Sequence, residues 1–136
     1  MSDQSSARIV SCLAHVCFTV SDLQRSVDFY CGQLGLRRAF ELRRPDGTWH
    51  GQYIHVGGRN FIELFAGNLS DKAEGQSYGH ICLEVEDIER TVSVLTERGV
   101  ECTPIKLGGD GAYQSWLADP DGNRVEFMYI PAGTAW

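Results

Sequence analysis

Two histidines and two glutamates stand at equivalent places in a sequence that repeats itself. Residues 15–27, HVCFTVSDLQRSV, recur as HICLEVEDIERTV at 80–92, a constant offset of 65 residues. So long a match inside 136 residues indicates two copies of one module. Each copy opens on a histidine, His15 or His80, and each carries a glutamate in its last apolar segment, Glu63 or Glu126. The pattern therefore supplies two imidazoles and two carboxylates at paired positions.

Such a set of donors is typical of a metal centre. Two neutral nitrogens and two anionic oxygens suit Zn²⁺, Ni²⁺, Co²⁺, Mn²⁺ or Fe²⁺ better than Ca²⁺ or a thiophilic ion. Ligands spread through the chain are held by a sheet rather than by one loop, which favours a catalytic site over a structural one. We predict one divalent ion per site, bound by His15, Glu63, His80 and Glu126.

The alternative is that duplication copied two structural histidines beside solvated glutamates, since a single histidine on a strand is usually structural. Against this, Glu63 shares its strand face with Phe61 and Phe65, and Glu126 shares its face with Met128. Apolar neighbours on the same face are not expected for carboxylates that are simply solvated, so they count against this alternative.

Each module is predicted to be β-α-β-β-β. In the first strand, about 13–20, His15, Cys17 and Thr19 alternate with an apolar face. A capping box of Ser21 and Gln24 predicts the start of the helix that follows, and Gly35 its end. Strands are expected near 36–42, 49–56 and 60–65. In the second module the strands are expected near 80–85, 101–104, 112–117 and 123–129, with the helix between 88 and 99.

These elements predict an α+β fold of two tandem βαβββ modules in one domain, residues 11–130. Module one is expected at 11–67 and module two at 78–130, with a polar linker at 66–77 and a disordered N-terminus at 1–10. A chain that is 43% hydrophobic can bury such a core.

Charge and composition exclude several classes of partner. The net charge is −6 and no block of Lys or Arg occurs, which argues against binding to nucleic acid or to an anionic membrane surface. No apolar run resembles a leader or a membrane span, so we expect a cytoplasmic protein. The five cysteines form no Cys-x-x-Cys motif, and reduced thiols are the simplest interpretation.

Four motifs together resemble the vicinal oxygen chelate superfamily, which includes glyoxalases, bleomycin resistance proteins and extradiol dioxygenases. They are HVCFTVSDLQRSVDFY from His15, FIEL at 61–64, YGHICLEV at 78–85 and DPDGNRVE at 119–126. The resemblance covers about residues 11–130 and is strongest to the glyoxalase I (lactoylglutathione lyase) branch. It implies a half-open, eight-stranded, cup-like barrel with helices outside, a metal ion inside and a homodimer.

The resemblance also implies a reaction. A glyoxalase I-like lyase or isomerase moves a proton alpha to a carbonyl through a metal-chelated enediolate, for example converting the methylglyoxal–glutathione hemithioacetal into lactoylglutathione. The partner is thus a small carbonyl compound or thiol adduct. A glutamate that can leave the metal is the natural base, and we expect Glu126 in this role, with Glu63 sharing it by near-symmetry.

The sequence departs from the glutathione-using relatives at two places. Thr19 stands where they carry an arginine, and Gly67 stands where an asparagine is frequent. Lys106 is a candidate for holding an anion instead. The full set of predicted substrate-pocket residues is Thr19, Phe61, Phe65, Lys106, Trp116 and Met128.

Alternatives on the same fold are an epimerase of the methylmalonyl-CoA type, an Fe(II) extradiol dioxygenase and a metal-free drug-binding resistance protein. A fourth protein ligand leaves less room for oxygen and a catechol, which counts against the dioxygenase. The duplicated sequence is compatible with two arrangements of the ligands. The four ligands meet within one chain, or they meet across a dimer.

Overall fold

A computed structural model describes residues 9–69 and 77–134. Most of the predicted N-terminal segment 1–10 and the middle of the predicted linker 66–77 lie outside these residues.

The first module contains four strands and one helix. Strand β1 (His15–Val20) is followed by helix α1 (Leu23–Val27), which continues directly as a π-helical segment (Asp28–Gln33). Strands β2 (Arg37–Arg43), β3 (Trp49–Gly57) and β4 (Asn60–Ala66) complete it. The order in the sheet is β1-β4-β3-β2, with β1 parallel to β4 and the other pairs antiparallel.

The second module repeats this plan. Strand β5 (Ile81–Glu84), helix α2 (Ile88–Glu97) and strands β6 (Lys106–Leu107), β7 (Tyr113–Ala118) and β8 (Arg124–Tyr129) form a second sheet in the order β5-β8-β7-β6. The predicted α+β fold of two βαβββ modules is confirmed. Its eight strands form two four-stranded sheets, and closure of a cup between them stays a prediction.

Alternation along the strands decides which face of each sheet is buried. Phe18 and Val20 of β1 and Ile62 and Leu64 of β4 are almost fully buried, while His15 and Cys17 on the other face of β1 are exposed. In module two, Val125 is buried in the same way. The helices cover these apolar faces and leave the faces that carry His15 and His80 open.

Both helices begin with an aspartate N-cap, Asp22 for α1 and Asp87 for α2. The cap of α1 is one residue later than the Ser21 cap that the sequence predicts. The Asp22 carboxylate accepts from the Arg25 backbone N–H at 3.0 Å, and Asp87 accepts from Arg90 at 3.0 Å. The predicted capping box of Ser21 and Gln24 is wrong. The Ser21 hydroxyl instead donates to Asp121 in the other module, so it is not available to the helix.

The predicted strand at 101–104 is also wrong, since β6 comprises only Lys106 and Leu107. The Thr103 N–H donates to the carbonyl of Trp116 at 2.8 Å, but the Trp116 N–H donates to the Thr103 side chain at 2.9 Å rather than to a carbonyl. The Ser115 hydroxyl donates to the Thr103 carbonyl at 2.7 Å. Side chains therefore replace part of the main-chain ladder just before Pro104, which lacks an N–H to continue it.

The modules contact each other through the helix side of module one and the turn before β8. The buried Tyr30 hydroxyl donates to Asp119 at 2.7 Å, and the Ser21 N–H donates to Asp121 at 3.1 Å. Asp119 also accepts from the backbone N–H groups of Asp121 and Asn123 and so shapes the turn. The contact thus ties module one to the start of the strand that carries Glu126.

None of the helices among the described residues has the length and apolar character needed to cross a bilayer.

Removing the Tyr30 hydroxyl tests this contact. Tyr30→Phe leaves the buried Asp119 carboxylate short of one donor, and we expect a loss of about 2 kcal/mol in the free energy of unfolding. Urea denaturation followed by circular dichroism measures it. Tyr113→Phe, at an exposed tyrosine, is the matched control and should change stability by less than about 0.5 kcal/mol. Equal effects of the two substitutions would contradict the assignment.

Candidate metal and catalytic site

His15 and Glu63 form the first of two similar pairs. Parallel pairing of β1 with β4 sets Cys17 beside Glu63 and His15 beside Phe61. The His15 Nε2 lies 3.5 Å from Glu63 Oε1 on the open face of the sheet. The imidazole is 40% exposed and the carboxylate 13%, so the glutamate is the more enclosed partner.

His80 and Glu126 form the second pair. His80 directly precedes β5, and Glu126 lies in β8 beside Cys82. The His80 Nε2 lies 3.1 Å from Glu126 Oε1, with side-chain exposures of 37% and 10%. The ring of Trp116, from β7, packs edge-on against His80 with centroids 4.6 Å apart.

Each pair has a geometry that suits two ligands of one ion. The nitrogen–oxygen separations of 3.5 and 3.1 Å are short enough for both donors of a pair to reach one ion. Each pair could therefore occupy two neighbouring coordination positions.

The two pairs do not meet within the described chain. Among residues 9–69 and 77–134, no cluster of three or more His, Cys, Asp or Glu side chains could hold an ion. The contact between the modules uses their helix sides, whereas both pairs lie on the opposite, open faces. A four-ligand site thus needs the open face of one module to meet the open face of another.

Glu63 has a neighbour that the sequence analysis did not single out. Tyr53 lies directly across from Glu63 in the β3–β4 ladder. Hydrogen bonding to the Glu63 carboxylate is the largest cause that raises the pKa of Tyr53 to about 12. Tyr53 precedes Trp116 by 63 residues, the same offset as Glu63 to Glu126, so the repeat contained the signal for this residue.

The predicted pocket residues take different places around the pairs. Phe61 lies beside His15, and its ring is 6.0 Å from that of Tyr53. Phe65 is paired with Thr19 and lies against His50. Trp116 contacts His80 as described, which brings it to the second pair.

Lys106 and Met128 lie further along the second sheet. Both are paired with Gln114, Lys106 from the edge strand β6 and Met128 from β8. Lys106 is exposed there, two rows of the sheet away from Trp116 and Glu126.

Thr19 and Gly67, the two departures from the glutathione-using pattern, are neighbours in space. A Cβ atom added at Gly67 would lie 2.7 Å from the Cγ2 of Thr19, closer than carbon atoms pack. The threonine methyl thus occupies the space that a side chain at 67 would require.

Cys17 and Cys82 lie beside the two glutamates, and both stay protonated at neutral pH. Although part of the Cys17 side chain is exposed, partial shielding of its thiol from water is the largest cause that raises its pKa to about 11, and hydrogen bonding and repulsion from Glu63 add to it. Burial and the charge of Glu126 raise the pKa of Cys82 to about 12. The geometry agrees with the interpretation of these thiols as lining groups rather than nucleophiles.

Comparison with known proteins gives the family. A sequence model described as the Glyoxalase/Bleomycin resistance protein/Dioxygenase superfamily matches residues 12–127. The chain belongs to this superfamily. The resemblance proposed from the four motifs is thereby confirmed.

Curated relatives within the superfamily carry one recurring name. A probable lactoylglutathione lyase of Synechocystis sp. is 31% identical over 124 residues, which cover 85% of this chain and 93% of the relative. A lactoylglutathione lyase of Escherichia coli O157:H7 is 31% identical over 124 residues, covering 85% of this chain and 90% of the relative.

Solved structures agree on the fold. A glyoxalase family protein of Enterococcus faecalis superimposes with a TM-score of 0.69 at 26% identity, covering 85% of this chain and 95% of the other. An antibiotic binding protein of Streptomyces sp. CB03234 gives a TM-score of 0.76 at 21% identity, covering 92% and 100%, and it shows likeness of fold alone.

The thiols provide a test of the geometry of each pair. Glu126→Gln removes a negative charge beside Cys82, so the pKa of Cys82 falls and its reaction with iodoacetamide at pH 8 becomes several-fold faster. Peptide mass spectrometry measures the rate at each cysteine. Cys17 is the internal comparison, because within one chain it interacts with Glu63, and it should respond less than Cys82. Glu63→Gln should produce the converse result, and an equal rise at both thiols would contradict the assignment of one thiol to each glutamate.

Proposed function

We propose that the chain is a metal-dependent lyase or isomerase of the glyoxalase I type. The observation that carries this proposal is the pair of His–Glu contacts, 3.5 and 3.1 Å, at repeat-equivalent positions on two open faces. The names of the relatives, lactoylglutathione lyases at 31% identity, support the same class of reaction.

His15, Glu63, His80 and Glu126 would hold one divalent ion, with Zn²⁺, Ni²⁺, Co²⁺, Mn²⁺ and Fe²⁺ all compatible with the donors. When bound, such an ion supplies Lewis acidity that makes a carbon beside a carbonyl more acidic. The proposed substrate is a small carbonyl compound or its thiol adduct, with the methylglyoxal–glutathione hemithioacetal as the named candidate.

Their neighbours distinguish the two glutamates. Glu63 lies across from Tyr53 and beside Cys17, whereas Glu126 lies across from Trp116 and beside Cys82. The indole N–H of Trp116, which stands where Tyr53 stands in module one, donates to Gln114 instead. We infer that the Tyr53 phenol keeps the Glu63 carboxylate in place, and that Glu126, which has an indole across from it instead, removes the proton from one carbon and returns it to the next.

A homodimer would complete the site. Each chain presents two open half-sites on different modules, and a twofold axis can set module one of one chain against module two of its partner. Two complete sites result, each with two histidines and two glutamates. Closing the faces together would also exclude water from the reacting carbons.

A metal-free binding protein is the main rival, because the Streptomyces antibiotic binding protein has the same fold. The two glutamates favour the enzyme, since side chains only 13% and 10% exposed beside histidines are unusual in a purely apolar drug site. An epimerase would use the same residues on a different substrate, and a dioxygenase would consume oxygen with a catechol.

The first test measures metal and turnover together. Protein purified without an affinity tag and loaded with Ni²⁺ or Co²⁺ should bind about one ion per chain and form thioester from methylglyoxal and glutathione. Glu126→Gln should lower kcat by about 100-fold or more, and Glu63→Gln by about tenfold. Glu97→Gln, on the exposed side of α2, is the control and should leave kcat unchanged. A chain that binds no stoichiometric ion would favour the binding protein.

The second test asks whether the sites are shared between chains. One variant carries His15→Ala and Glu63→Ala, and the other carries His80→Ala and Glu126→Ala. Each is expected to be inactive alone. When they are unfolded together and refolded as a mixture, a shared arrangement creates one intact site in every mixed dimer, so activity returns to roughly a quarter of wild type by random pairing. Sites built within one chain would give no recovery.

A further inference from the structure

Arg124 lies next to the second His–Glu pair and was not predicted to have a role. It opens β8, two residues before Glu126 on the same open face. The parallel register begins with Ile81 paired with Val125, and the residues directly before these two are His80 and Arg124. Both contact the ring of Trp116, so the arginine lies close to a proposed metal ligand.

An indole holds the guanidinium of Arg124 in place. Its carbon lies 4.4 Å from the centre of the Trp116 ring, and the same ring packs against His80 at 4.6 Å. The Trp116 N–H donates to Gln114 at 2.5 Å, which fixes the orientation of the ring. One anchored indole thus connects the cation to the imidazole.

Module one has no charge at this position. Phe61 precedes Arg124 by 63 residues and lies beside His15, as Arg124 lies beside His80. Its ring packs on Tyr53, just as the guanidinium packs on Trp116. The duplicated scaffold thus carries an aromatic contact in one half and a cation in the other.

No carboxylate among the residues that the structure describes forms an ion pair with Arg124. Ion pairs among residues 9–69 and 77–134 involve Arg25, Arg38, Arg43 and two histidines, and Arg124 is in none of them. The indole covers one face of the guanidinium. The N–H groups along its edge are left to bind a planar anion with two parallel hydrogen bonds.

We propose that Arg124 binds a carboxylate of the substrate beside the His80–Glu126 pair. The inference rests on the proposed function and specifies its substrate class: a carbonyl compound or thiol adduct with an anionic tail. A chain of net charge −6 with two glutamates at the site would repel such a substrate, and a local cation offsets that repulsion.

The test compares two ligands that differ in whether their two carboxylates are free or esterified. S-methylglutathione and its diethyl ester are titrated into the nickel-loaded protein by calorimetry. Wild type should bind the acid about tenfold or more tightly than the ester, and Arg124→Gln should reduce that preference to about twofold or less. Arg124→Lys should keep part of the preference, because charge remains while the planar fork is lost.

The control is Arg90→Gln, which removes an exposed arginine from α2 and should leave the preference unchanged. The inference is overturned if Arg124→Gln retains the full preference, or if wild type binds both ligands equally or binds neither. Turnover of methylglyoxal plus glutathione, measured on the same preparations, separates the two proposals. Turnover without a carboxylate preference rejects the anion site alone, whereas an Arg124-dependent preference without turnover rejects the reaction alone.

Discussion

The register of two parallel strand pairs is the constraint on which the candidate site depends. Pairing of β1 with β4 and of β5 with β8 sets a cysteine beside each glutamate, so the histidine two residues earlier lies within 3.5 Å of the carboxylate. A slip by one residue would move the glutamates to the buried face. Buried neighbours such as Ile62, Leu64 and Val125 prevent that slip, because it would expose them to water. Hydrophobic burial on one face therefore fixes the chemistry on the other.

Duplication supplied similar halves, and their differences give them separate roles. Tyr53 and Trp116 occupy equivalent positions, yet the phenol of one lies across from Glu63 while the indole N–H of the other donates to Gln114. Phe61 and Arg124 differ in charge at another shared position. A site built from one half of each kind therefore has two unlike ends, with a phenol beside the carboxylate at one end and a cation at the other. Such asymmetry is what a substrate with two unlike ends requires.

Much of this arrangement could be predicted from the repeat and from period-two alternation. His15, Glu63, His80 and Glu126 were placed on open faces, and the βαβββ plan followed, because both rest on regular spacing along the chain. The prediction was wrong where a distant partner competes with a local one. Ser21 does not cap its helix because Asp121, a hundred residues away in sequence, accepts its hydroxyl. The irregular segment at 101–104 depends on side chains of β7 that no local pattern indicates. Tyr53 and Arg124 were not predicted because each differs in type from its repeat partner, Trp116 or Phe61, so a pattern of identical residues does not indicate them.

The close fit of Thr19 and Gly67 has a consequence for how this chain could change over generations. A residue larger than glycine at 67 collides with the threonine methyl, and a β-branched side chain on a strand has few other rotamers to adopt. The effect of a substitution at either position thus depends on what the other position holds, so the two are not additive. A lineage that altered 67 first would pass through a strained intermediate, whereas one that altered 19 first would open the space beforehand. Mutational order, and not only the final pair of residues, is therefore restricted at this corner of the sheet.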